Sequence, residues 1–198
     1  MRLGALLGAL LGLLITCSCG NPSTRATPNP PVAEIVMRVL ATSAVPGVPS
    51  TTTVLSVPEL AKDASIPGLT SMLTSWGYLD GRERIFQGQS RHLTLVVSRS
   101  LIFKDATGAR AFVAFVQANA WAFFGGVVEK QPLVAQGRSG WLFTPPMCAC
   151  HMANPVIVGV LNDGSGVVWL EINGPEATPA LLVSLLDPTL SVPATLVD

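Results

Sequence analysis

The run Val156–Leu161 (VIVGVL), the tetrapeptide Asn162-Asp163-Gly164-Ser165 and the run Val167–Asn173 (VVWLEIN) read together as two strands of one tight hairpin. Asn, Asp and Gly tolerate the positive φ that a two-residue turn demands. Val156–Leu161 carries no polar alternation, so it is expected to be covered on both faces. A strand of that kind needs helices above and below it.

Working outward, the same signals recur on both sides. Gly81–Gln87 (GRERIFQ) and His92–Phe103 (HLTLVVSRSLIF) flank Gly88-Gln89-Ser90 and read as a second hairpin. Val127–Val134 and Ser139–Thr144 (SGWLFT) are two further strands. Helices are expected between them. Leu69, Met72, Leu73 and Trp76 recur at i, i+3, i+4 and i+7 behind a Ser65 cap, with Gly77 to end the helix. Asp105 caps a longer helix to about Phe124, with Ala109, Phe112, Val113, Val116, Ala120 and Phe123 on one apolar face and Gly125-Gly126 beyond it. Thr178-Pro179 opens a closing helix with Leu181, Leu182, Leu185 and Leu186 inward, stopped at Asp187-Pro188. The sum is an α+β domain, an antiparallel sheet of about six strands covered by about three helices.

Composition narrows the function. Of 198 residues, 49% are hydrophobic and only 12% charged, with 12 Lys+Arg against 12 Asp+Glu. A typical soluble domain is about 25% charged. Zero net charge without a basic run argues against nucleic-acid binding, which requires phosphate neutralisation. The high hydrophobic share argues against a disordered chain.

The N-terminus reads as an export address. Met1-Arg2 precedes Leu3–Ile15, thirteen residues of Leu, Gly, Ala and Ile, and then Thr16-Cys17-Ser18-Cys19-Gly20. Such a run suits a secretory signal and is too short for a spanning helix of about 20 residues. Asn21–Pro31 (NPSTRATPNPP) is an extended spacer. The organisation expected is a signal and lipidation site over 1–19, a flexible tether with a short apolar segment over 20–53, and one α+β domain over 54–198.

Leu14-Ile15-Thr16-Cys17 resembles the lipobox of bacterial lipoproteins, in which the Cys becomes the acylated first residue. Thr16 departs from the small residue preferred before the Cys; Cys19, preceded by Ser18, satisfies that position but has Thr16 where Leu is usual. Lipidation at Cys19 leaves an even pair of cysteines downstream, Cys148 and Cys150, and lipidation at Cys17 leaves Cys19 as an odd thiol. Both stay open. The order of elements from Ser65 to Pro188 resembles the PsbP/Mog1-like domains of actinobacterial cell-envelope lipoproteins. The resemblance implies palmitate-type anchoring to the cell membrane on its extracytoplasmic face, a ligand or envelope-protein partner, and no catalytic residues to carry over.

Chemistry concentrates in Pro145-Pro146-Met147-Cys148-Ala149-Cys150-His151-Met152-Ala153-Asn154-Pro155. Thiolate and thioether are soft ligands suited to Cu(I), and imidazole suits copper or zinc. In an extended segment Cys148, Cys150 and Met152 share one face. The competing readings are a Cys148–Cys150 disulfide in an oxidising compartment, buried inert thiols, or a c-type haem attachment one residue too short. No cofactor is expected under the disulfide reading and copper under the metal one.

Enzymatic function has no motif behind it. Gly88-Gln89-Ser90-Arg91-His92 is not a nucleophile elbow, and a triad would have to draw His92 or His151 together with Asp80, Asp105 or Asp163. Two binding candidates remain. Arg82 and Arg84, with Arg91 and Arg99, concentrate cations in the first hairpin, as an anion-binding patch or a solvated sheet face. Trp121 falls on the helix face opposite the apolar stripe, as a second packing contact or an exposed recognition aromatic.

Overall fold

The computed structural model describes residues 38–62, 66–88, 92–146 and 154–191. Among them the expected hairpin is present and longer than its apolar runs. β6 (Val156–Asp163) and β7 (Gly166–Asn173) pair directly up to Asp163 opposite Gly166, so that Gly164 and Ser165 alone make the turn, with Gly164 at φ +63°. The second hairpin is β2 (Tyr78–Gln87) with β3 (Leu95–Phe103), and the third is β4 (Glu129–Ala135) with β5 (Arg138–Thr144).

These strands and β1 (Ser50–Val54) form one antiparallel sheet of seven among the described residues, in the order β1-β2-β3-β7-β6-β5-β4. The expectation was about six strands. β1 was missed because its Ser-Thr-Thr-Thr-Val sequence has no apolar alternation; it is an edge strand with Thr51–Val54 exposed. Within the stretch read as a tether over 20–53, the described residues from Arg38 onward pack against the sheet. Val39, Leu40 and Val45 are buried, the Leu40 amide donates to Ser98 Oγ at 3.0 Å, and Arg38 pairs with Asp163.

Five helices occur among the described residues, where about three were expected. α1 (Val57–Lys62) is short and went unread, although Ser56 and Glu59 mark its start: the Ser56 hydroxyl bonds the Glu59 carboxylate and the Ser56 amide donates to Glu59 Oε2 at 2.8 Å, and these bonds hold the Glu59 carboxyl below its ordinary range. α2 (Leu69–Ser75) starts at Gly68, at φ +78°; the expected Ser65 cap lies outside the described residues. Its stop is as read, with Gly77 at φ +71°.

α3 (Ala106–Ala118) begins as expected. The Asp105 carboxylate accepts from the amides of Thr107 (2.8 Å) and Gly108 (3.0 Å), and these bonds, the Gly108 one foremost, depress its pKa. Its end differs from the reading. The helix expected to reach Phe124 breaks at Asn119 (φ −113°, ψ 26°), whose side-chain amide donates to the Phe115 carbonyl at 2.9 Å. The chain turns there into α4 (Ala120–Phe124), and Gly125 at φ +73° ends it. α5 (Pro179–Ser191) continues through Pro188 instead of stopping there. Burial of Thr189 and Leu190 outweighs the amide that proline lacks, and the hydroxyls of Thr189 and Ser191 bond carbonyls one turn back.

Helices cover both faces of the sheet, as the apolar strands required. On one face α1 to α4 bury Leu60, Leu73, Phe112 and Val116 against Leu101, Phe103, Val158 and Trp169. On the other, α5 and the segment from Leu40 to Val45 bury Leu182, Leu186 and Leu190 against Val96, Leu161, Leu170 and Ile172. β3 and β6 are thus enclosed twice.

Candidate functional site

Strand alternation and register place one row of side chains, with a buried ion pair at one end, on the face covered by α1 to α4. Glu83 of β2 lies opposite Arg99 of β3, Arg99 opposite Trp169 of β7, Trp169 opposite Val160 of β6, and Val160 opposite Trp141 of β5. Arg99 Nε donates to Glu83 Oε2 at 2.6 Å, and the guanidinium sits 5.4 Å from the Trp169 ring centroid. The Arg99 and Glu83 side chains are only 13% and 11% exposed. A guanidinium so far from water needs both the carboxylate and the ring face to offset its lost hydration.

α4 forms the wall of this row. Phe123 and Phe124 lie 6.0 and 5.6 Å from Trp169, and Phe124 lies 5.1 Å from Phe143. Between them is an open recess of about 150 Å³ bounded by Arg99, Phe123, Phe124, Trp169 and Glu171. The indole N–H of Trp169 is buried and finds no acceptor among the described residues. An aromatic wall, a guanidinium and a carboxylate suit a small ligand with a flat apolar face and polar edges. The break at Asn119 makes the wall, because it swings Phe123 and Phe124 together over Trp169.

Of the binding and metal candidates singled out from sequence, Arg99 lines this recess, and Trp121, Arg82 and Arg84 do not. Trp121 is 66% exposed, the largest exposed aromatic among the described residues, and lies on the α4 side of the sheet. Arg82 and Arg84 lie on the opposite face. Arg82 makes two bonds of 2.9 Å to the Asp80 carboxylate, while Arg84 donates to Thr52 Oγ1 at 2.9 Å and to the Leu40 carbonyl. Arg84 is therefore spent fastening the N-terminal segment and β1 to the sheet. Cys17, Cys19, Met147, Cys148, Cys150, His151 and Met152 lie outside the described residues. Among the described residues no three His, Cys, Asp or Glu side chains gather as a metal site.

The groups considered for a triad are dispersed. His92 pairs with Glu176 at 2.7 Å, Asp80 holds Arg82, Asp105 caps α3, and Asp163 joins Arg38 to Arg138. The other histidine, His151, lies outside the described residues. What the sequence reading missed is the recess itself. Its one visible signal was Arg99, a lone cation in the middle of Leu95–Phe103 (LVVSRSLIF).

No protein-family model matches the chain, and a comparison with curated proteins finds no match. Among solved structures, the extracellular domain of PknH from Mycobacterium tuberculosis is similar over 82% of this chain and 98% of that chain, with 12% identity and a TM-score of 0.42. A likeness at that level assigns no role to this chain. Among the described residues no helix is long and apolar enough to cross a membrane.

Proposed function

We propose that this chain is an exported bacterial envelope lipoprotein, held by an acyl group on Cys19 or Cys17 to the extracytoplasmic face of the membrane. Its α+β domain, of PsbP/Mog1-like type, binds a small ligand or a partner's side chain at the recess over Trp169. The observation that carries the binding role is the buried Arg99, paired with Glu83, stacked on Trp169 and bounding that recess beside Phe123 and Phe124. The anchor is supported by the short apolar run, the two lipobox-like cysteines and the proline-rich spacer behind them.

Metabolic labelling with palmitate is expected to mark the wild type and to lose its label when Cys17→Ala and Cys19→Ala are combined. An unlabelled wild type, or label surviving both changes, rejects the anchor. For the recess, fragments detected by ligand-observed NMR are expected to lose at least about tenfold in affinity with Arg99→Met or Phe124→Ala, the cost of one buried charge-assisted bond or aromatic contact. Hits equally well bound by both variants would place the site elsewhere.

A further inference from the structure

The two edges of the sheet are unlike, and the difference is in their backbone chemistry. β4, at one edge, carries Glu129, Lys130 and Pro132. Charge and a missing amide are the devices by which edge strands avoid pairing with another chain. β1, at the other edge, is Ser50-Thr51-Thr52-Thr53-Val54, with no charge, proline or glycine.

Hydrogen bonds at the ends of β1 show which of its groups face outward. The Pro49 carbonyl accepts from the Gln87 amide at 3.3 Å, and the Leu55 amide donates to the Gly81 carbonyl at 2.9 Å. In an antiparallel ladder the N–H and C=O of one residue point the same way and successive residues alternate. Odd positions therefore bond β2, and the amides and carbonyls of Ser50, Thr52 and Val54 face away from the sheet. These six groups have no hydrogen-bond partner among the described residues. β1 is also held firmly: Arg84 bonds Thr52, and Leu55, the next residue, is buried.

We infer that β1 is the contact of a symmetric dimer, in which β1 of a second copy pairs with it antiparallel about Thr52. A two-fold contact must be self-complementary, and this edge is. Thr52 opposes Thr52, Ser50 opposes Val54 and Thr51 opposes Thr53, so every outward-facing residue meets another outward-facing one and six backbone bonds form. No like charges meet, and Thr–Thr pairs favour cross-strand packing. The alternative of β1 on β4 of the next copy would propagate an open filament, and Pro132, Glu129 and Lys130 oppose it. A five-residue edge buries less than the roughly 1,000 Å² of a tight complex. The dimer is therefore weak and concentration-dependent.

Sedimentation equilibrium of the full-length protein in density-matched detergent tests this, from about 10 µM to about 1 mM, where so small a contact associates. Wild type is expected to shift from monomer to dimer across that range. Thr52→Pro removes an outward amide and Thr52→Lys sets two cations face to face, and each is expected to weaken dimerisation at least about tenfold; both also lose the Arg84 bond to Thr52 Oγ1, so Thr52→Val, which loses that bond alone, is expected to dimerise as the wild type does. Amide exchange at Ser50, Thr52 and Val54, but not at Thr51 and Thr53, is expected to slow with concentration in the wild type. A monomer throughout, or a dimer indifferent to both variants, overturns the inference.

Discussion

Replacing Gly108 by alanine is expected to be among the most damaging single-methyl changes in this domain. A Cβ at that position would lie 1.9 Å from the Trp76 carbonyl oxygen and 3.0 Å from its carbon, so the obstacle is backbone and cannot rotate away. Neither side yields easily. The Trp76 amide is bonded to the Met72 carbonyl and Gly77 turns at φ +71° immediately after it; Gly108 is held by the Asp105 cap and by Ala109 and Phe112, both wholly buried. Separating α3 from the end of α2 opens the aromatic contacts of Trp76 with Phe112 and Phe115. Overpacking against fixed backbone costs about 3 kcal/mol or more, a fall in melting temperature on the order of 10 °C for a domain of this size. Thermal unfolding followed by circular dichroism measures it. A variant melting with the wild type would show that α3 has freedom to slide.

The second large effect is expected at Asp163. Its carboxylate accepts from Arg138 Nε at 2.6 Å and pairs on its other oxygen with Arg38. The three side chains are 11%, 23% and 14% exposed. Asp163→Ala removes the carboxylate that two mostly buried guanidinium groups share, a loss of about 3–5 kcal/mol for breaking a buried pair. Because Arg38 leads into Val39 and Leu40, the loss is expected to be local first. Limited proteolysis between Arg38 and Val48 should accelerate before global unfolding does. Asp163→Asn keeps an acceptor but not the charge, and is expected to fall between wild type and alanine. Equal stability of all three by chemical denaturation would mean that the arginines find other partners.

Much of the architecture was legible because its signals are local. Asn162-Asp163-Gly164-Ser165 announces a turn from four adjacent residues, Asp105 caps α3 from two and three residues away, and Gly77 and Gly125 end helices at positive φ. The unbroken apolar run Val156–Leu161 of β6 foretold helices on both faces. Where local signals competed with burial, burial won: α5 passes through Pro188 because Leu190 is enclosed, and Arg38–Pro49, within the stretch read as a tether with a short apolar segment, packs because Val39, Leu40 and Val45 have somewhere to go. Asn119 reversed the balance, its side chain breaking an apolar pattern that would otherwise run straight to Phe124.

The sparse charge of the chain takes on a definite meaning from these contacts. Arg38, Arg82, Arg84, Arg99 and Arg138 are each engaged by a carboxylate or by a side-chain or backbone oxygen of the protein itself, so several of its few cations hold the fold together instead of facing water. Sequence alone determined the class of fold, the Asp105 cap of α3 and the turn between β6 and β7, since each depends on residues within a few positions of one another. Tertiary structure decided that Glu83, Arg99 and Trp169 share one row, that α4 walls a recess over them, and that β1 and β4 end the sheet as opposites. Those facts depend on strand register and order, which join residues far apart in the chain and leave no mark in any short stretch of it.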